Sequence, residues 1–246
     1  MARFFLPRAQ IRESHAIVAG QELDHLRKVM RLKPGDRITV FDDTGWEHEA
    51  VIRSLTSAEG QLEIVRSYET QRESPLRTTL AVALTKGEKI DFVVEKATEL
   101  GVQTIIPFAS AHAVAKLAER KIAARTERWQ KIALSAAKQC GRTHVPEILP
   151  LCMFQDFIMR SWPDTIKLIF WEKEAVQSLQ QVRERYGDAK AVLLAIGPEG
   201  GFSGEEAELA RAQGFDPVRL GRRILRAETA AVTALSLVQF LWGDLR

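Results

Sequence analysis

Two short stretches hold the residues best suited to chemistry. Residues 197–201 read Gly-Pro-Glu-Gly-Gly, and residues 220–229 read Leu-Gly-Arg-Arg-Ile-Leu-Arg-Ala-Glu-Thr. Gly197, Gly200 and Gly201 let the backbone bend sharply and lie against a ligand with no Cβ in the way. Glu199 and Glu228 are candidate general bases, and Arg226 is a fixed cation able to stabilise a developing negative charge. Glu228 has a plainer use as well, because an acidic residue in a first helical turn favours the helix dipole. The first turn is a poor phosphate cradle: Pro198-Glu199 breaks GxGxxG, no GK[ST] follows, Pro198 lacks an N–H, and Glu199 carries negative charge. A neutral or cationic ligand suits it better. Alone, the turn is most simply a tight strand-to-helix connection. The second turn changes that, because Ala227, Ala230 and Ala231 are too small to fill space unaided and admit a close neighbour, either a helix or a ligand.

The surrounding elements must bring these turns together. Residues 191–196 form an apolar run of strand length ending at the first turn, and Ser203 with Glu206 forms a capping box for the helix that follows. Upstream, residues 78–84, 102–107 and 166–171 read as strands, and residues 88–100, 118–139 and 175–186 as helices. Such alternation predicts a mostly parallel sheet covered on both faces, with ligands beyond the carboxyl ends of its strands. Residues 1–72 differ: short strands at 3–6, 15–18, 36–41, 46–54 and 61–65 surround one helix at 21–30, with Leu23, Leu26, Val29 and Met30 at helical spacing. The polar, aperiodic stretch 67–77 marks the domain boundary, giving domains 1–72 and 73–246.

Composition bounds the rest. A chain of 246 residues with 46% apolar content can bury substantial cores in one large or two modest domains. Its 35 basic and 32 acidic residues nearly cancel, so the distribution of charge is what matters. Lys116, Arg120, Lys121, Arg125, Arg128, Lys131, Lys138 and Arg142 face only Glu119 and Glu127 across residues 116–145, and Arg27, Lys28, Arg31, Lys33 and Arg37 form a second cluster. Both suit a phosphate-rich partner or a solvated helix face. The two cysteines, Cys140 and Cys152, are not in CxxC spacing, and no signal peptide or long apolar segment is evident; a reducing, cytoplasmic setting with no membrane association is expected. The five histidines are scattered without ligand spacing, so no metal is expected.

Residues 196–203 followed by 220–230 resemble the ribosomal RNA small subunit methyltransferase E family, and the likeness spans nearly the whole chain. Lys86-Gly87-Glu88-Lys89, residues 95–101, 129–132, 139–142, 145–148 and 25–31 fall in family order. The resemblance implies a PUA-like RNA-binding β-barrel at residues 1–72 and a SPOUT-type α/β domain at 73–246, threaded through a trefoil knot. It implies methylation of N3 of a uridine in 16S rRNA of the small ribosomal subunit. S-adenosylmethionine would be the cofactor and S-adenosylhomocysteine the product, with a homodimer formed through knot helices. Carried over to this chain, Ile196, Gly197, Gly200, Gly201, Leu220, Gly221, Ile224, Leu225, Thr229 and Ala230 line the cofactor. Arg226, Glu199 and Glu228 are the catalytic candidates, and Arg3, His25, Arg27, Lys28, Arg31, Lys86 and Arg142 the RNA contacts. Val232, Leu235, Val238 and Leu241 serve either the core or the dimer. Two departures stand out: Ala111-His112-Ala113 replaces a Glu-Arg-Ser stretch common in the family, and Lys138 stands where an acidic residue is common. The competing readings are a SPOUT enzyme acting on another RNA position or on tRNA, and an RNA-binding module without catalysis.

Overall fold

The computed structural model describes residues 2–85, 88–109, 119–172 and 177–245. They form two compact units, Met1–Glu73 with Ala137–Val145, and Ser74–Ala136 with Pro146–Arg246.

The first unit is a curled five-stranded sheet. Strands β1 (Arg3–Phe5), β2 (His15–Ala19), β3 (Arg37–Phe41), β4 (Trp46–Leu55) and β5 (Glu59–Glu69) lie in the order β1-β3-β4-β5-β2, with β1 parallel to β3 and the remaining pairs antiparallel. Alternate residues such as Phe4, Val18, Ile38, Ile52 and Leu62 enter one core together with Leu23 and Leu26. Those two leucines come from helix α1 (Gly20–Asp24) and the π-helical stretch that continues it, His25–Val29. The helix was expected to bury Val29 and Met30 too. Both are exposed instead, at 67% and 44%, because the wider i→i+5 turn, closed by Met30 N–H donating to the His25 carbonyl, carries them off the 3.6-residue stripe.

The boundary differs from expectation in a second way. Helix α3 (Glu119–Cys140) was read as part of the second domain, yet residues 137–145 belong to the first unit. Arg3 holds them there by donating to the carbonyls of Ala137, Lys138 and Arg142, filling acceptors that a helix end leaves open. Arg142 is itself buried, donating to Glu73 through Nε at 3.0 Å and Nη2 at 2.8 Å. Lys138 pairs with Glu22.

The second unit is built on a parallel sheet. Strands β6 (Arg77–Ala83), β7 (Thr104–Ala109), β8 (Glu147–Ile148), β10 (Ile166–Phe170), β11 (Ala191–Ile196) and β12 (Asp216–Val218) run in the order β12-β10-β11-β6-β7-β8, and β9 (Cys152–Met153) pairs with β7. Every residue of β11 is buried, as a central strand covered on both faces requires. Helix α7 (Ala227–Trp242) packs on β6 and β11, with α2 (Lys89–Glu99) and α5 (Leu179–Tyr186) against it, while α4 (Phe154–Ile158) and α6 (Gly204–Ala212) share a core of Phe108, Phe154, Phe157, Phe202 and Phe215. The short elements β8, β9, α4 and β12 had no periodicity to announce them. Helix α5 begins at Leu179, later than expected, because Ser178 caps it and Gln177 bridges to Val218 of β12.

The strand order reverses between β6 and β11, which lie side by side although β7, β8, β9 and β10 come between them in sequence. Gln239 locks the two helices over that junction. It is fully buried in α7, accepts from Ser74 Oγ at 2.8 Å and donates to the Leu100 carbonyl at the end of α2 at 2.9 Å. Removing it takes a partner from the buried Ser74 hydroxyl and from the partly buried Leu100 carbonyl, so Gln239→Ala is expected to lower the unfolding free energy by roughly 1–3 kcal/mol in urea titration, with Ser74→Ala milder.

Candidate cofactor and active site

Both glycine turns sit at carboxyl ends of the parallel strands. After β11, Gly201 N–H donates to the Pro198 carbonyl at 2.9 Å, closing a turn. Ser203 and Glu206 then form the expected capping box at the start of α6. Gly201 has φ +72°, and a Cβ there would collide with the carboxylate of Glu172. The left-handed backbone favours glycine here, and any side chain would also have to displace the Glu172 carboxylate.

The second turn follows β12 and opens a cavity of about 360 Å³. Val218, Leu220, Gly221, Ile224, Leu225 and Ala230 form one wall, and Phe170, Trp171 and Glu172 from the end of β10 form the other. Trp171 ties the two turns: its N–H donates to the Val218 carbonyl at 3.1 Å and its Nε1 to the Phe202 carbonyl at 3.2 Å. Glu172 lies against Gly201 and lines the cavity. None of Phe170, Trp171 or Glu172 was anticipated as a site residue, although their strand was. The rule that ligands sit beyond carboxyl ends, applied to β10 as it was to β11, would have found them.

The expected cofactor residues divide. Leu220, Gly221, Ile224, Leu225 and Ala230 line the cavity. Ile196, Gly197, Gly200, Gly201 and Thr229 do not line it; Ile196 is buried in the sheet, and a Cβ on Gly197 would press on the Phe202 ring at 3.2 Å. Gly221 has φ +83° with open space where a Cβ would stand, and Ile224 is 85% exposed. Apolar walls, accessible backbone and, among the described residues, one carboxylate, Glu172, suit a flat aromatic ring joined to a sulfonium cation, while Arg219, Arg222 and Arg223 offer partners for a carboxylate.

The catalytic candidates gather at the β6/β11 junction. Lys89 Nζ, in the first turn of α2, is 2.9 Å from Glu199 Oε1 and 3.9 Å from Glu228 Oε2. Glu228 Oε2 is buried and has no hydrogen-bond partner among the described residues. Arg226 is the exposed N-cap of α7. Lys89 was not anticipated as part of this group; its partners are distant in sequence, and only the fold joins them.

The expected RNA contacts are placed less evenly. His25, Arg27, Lys28 and Arg31 lie on or just after the π-helical turn, with Lys28 paired to Asp24 at 2.9 Å. Arg3 and Arg142 are largely buried, and both guanidinium groups are engaged inside the first unit by carbonyls and by Glu47 and Glu73. The same holds for the charge of Lys138, balanced by Glu22. Lys86 and residues 111–113 lie outside the described residues. Among the described residues no group of three or more His, Cys, Asp or Glu side chains could hold a metal ion, and no helix is long and apolar enough to cross a membrane.

Residues 72–239 match the RNA methyltransferase domain family, and residues 18–65 match the RNA methyltransferase PUA domain family. Ribosomal RNA small subunit methyltransferase E of Bacillus subtilis is 32% identical over 98% of this chain and 96% of its own length. The chain belongs to the ribosomal RNA small subunit methyltransferase E family. A crystal structure of the methyltransferase E from Neisseria gonorrhoeae bound to S-adenosyl methionine is 35% identical, covers 100% of both chains and superposes with a TM-score of 0.90. A methyltransferase from Legionella pneumophila, in complex with bound SAM, is 33% identical, with 99% of this chain and 98% of that one covered and a TM-score of 0.90. Membership of the methyltransferase E family thus extends over both units of the chain.

Gly201→Ala is expected to destabilise the second unit by about 1–2 kcal/mol from its left-handed backbone alone, and more through Glu172. A double-mutant cycle in urea with Glu172→Ala checks the contact: removing the carboxylate should recover part of the loss, and strict additivity would mean the two residues do not press on each other.

Proposed function

We propose that the chain is an S-adenosylmethionine-dependent methyltransferase that methylates N3 of a uridine in 16S rRNA of the small ribosomal subunit and releases S-adenosylhomocysteine. The observation that carries this reading is the cavity between the second glycine turn and the end of β10, where apolar walls, open backbone and the Glu172 carboxylate suit a sulfonium-bearing nucleoside. Family membership and the cofactor-bound relatives support it.

When bound, the cofactor supplies an electrophilic methyl group on sulfur. The chain's own residues must prepare the acceptor. Uracil N3 lies on the Watson–Crick edge and carries a proton, so the base has to be unpaired and deprotonated. Glu228 is the preferred base because its Oε2 has no hydrogen-bond partner among the described residues, whereas Glu199 already accepts from Lys89. Lys89 holds the two carboxylates together, and Arg226 stabilises charge that spreads onto O2 and O4 of the ring. His25, Arg27, Lys28 and Arg31 contact the RNA backbone through the PUA-like unit, residues 1–72, and residues 73–246 form the knotted SPOUT catalytic domain.

The homodimer belongs to the same reading. Leu235 and Val238 of α7 are fully buried and serve the core, while Leu237 and Phe240, 40% and 58% exposed, offer the apolar face for a second copy.

Mass-spectrometric mapping of 16S rRNA from cells lacking the protein is expected to show loss of one N3-methyluridine, restored by the wild-type gene; persistence of every such residue would overturn the assignment. Arg226→Ala and Glu228→Gln are expected to lower kcat on rRNA by about 10²-fold or more while leaving calorimetric binding of S-adenosylmethionine within a few-fold. Unchanged turnover would remove the residue concerned from the mechanism.

A further inference from the structure

A second cavity, of about 270 Å³, opens beyond the carboxyl end of β6, between the first turn of α2 and the middle of α3. Its floor is apolar and held in place: Ile90 and Trp129 are each 4% exposed, and Trp129 Nε1 donates to Asp91 at 2.9 Å. At its rim Arg128 is held by Glu88 at 2.8 Å and by Asp91, and those two carboxylates push the guanidinium pKa further up. Arg125 is exposed at the same rim and has no hydrogen bond or ion pair among the described residues.

Thr85 marks the cavity as more than a packing fault. It lines the space, is 9% exposed, and its Oγ1 has no hydrogen-bond partner among the described residues. A buried hydroxyl left unpaired is unfavourable, and native proteins keep few. Among the described residues two carboxylates, Glu88 and Asp91, balance two guanidinium groups, Arg125 and Arg128, which disfavours an isolated phosphate. A neutral group carrying both donors and acceptors on a flat apolar body fits the apolar floor, the hydroxyl and the free guanidinium plane, as an unpaired nucleobase does.

We propose that this cavity receives one unpaired base of the RNA substrate, with Thr85 Oγ1 hydrogen-bonding its edge and Arg125 stacking against it. The inference rests on the RNA-methyltransferase reading above. It places the base beside the catalytic cluster, since Glu88 lines this cavity while the next residue, Lys89, bonds Glu199.

The test uses the full-length protein. Saturation-transfer NMR is run with uridine and with ribose 5-phosphate, and methylation kinetics on 16S rRNA are measured for Thr85→Val, Thr85→Ser and Arg125→Ala. Uridine is expected to give a signal that Thr85→Val abolishes and Thr85→Ser keeps, while ribose 5-phosphate gives none. Loss of one buried hydrogen bond should raise KM for RNA about tenfold in Thr85→Val, with S-adenosylmethionine affinity unchanged and Thr85→Ser near wild type. Equal signals from uridine and ribose 5-phosphate, or a Thr85→Val protein that keeps the uridine signal and the wild-type KM, would overturn the base assignment. Failure of the wild type to bind S-adenosylmethionine or to methylate rRNA would instead strike the proposed function, and the NMR comparison still reports on the cavity.

Discussion

The second unit depends on the contact between the end of β10 and the two glycine turns. Trp171 bonds the backbone on both sides, at Val218 and at Phe202, and the Glu172 carboxylate occupies the space that a side chain at position 201 would need. A parallel sheet delivers its carboxyl ends to one edge, but nothing in the sheet alone makes the loops of neighbouring strands share a wall. These backbone hydrogen bonds do so. They hold both turns against the end of β10, beside the cavity that the second turn opens.

The cluster of Lys89, Glu199 and Glu228 follows from the order of strands. Because β6 and β11 are adjacent, the loop before α2 and the loop after β11 leave the sheet side by side, and α7 begins close to both. Lys89, Glu199 and Glu228 meet there. A lysine between two carboxylates balances part of their charge and leaves Glu228 Oε2 without a hydrogen-bond partner among the described residues. Gln239 and Ser74, buried at the far end of α2 and α7, keep the two helices in register with this edge.

Basic clusters were the weakest guide to function, and the structure explains why. Arg3, Lys138 and Arg142 look identical in sequence to solvent-facing arginines and lysines, yet each meets a carboxylate or carbonyl from a remote part of the first unit. Burying a charge demands such partners, and partners distant in sequence leave no local trace. Val29 and Met30 show the same limit for apolar residues: their spacing fits a helical stripe, but a π turn rotates them outward.

Several features were set by local sequence. The fully apolar run of β11, the Ser203 capping box, the glycine turns at 197–201 and 220–221, the alternation of strands and helices after residue 77, and the family resemblance all rest on short-range pattern, which side-chain period and backbone freedom impose directly. Tertiary structure alone decided which strands lie next to each other, that residues 137–145 join the first unit, that Glu172 enters the cofactor cavity, and that Lys89 links Glu199 to Glu228. Those outcomes come from long-range packing and hydrogen bonding between segments whose separation along the chain no local preference records.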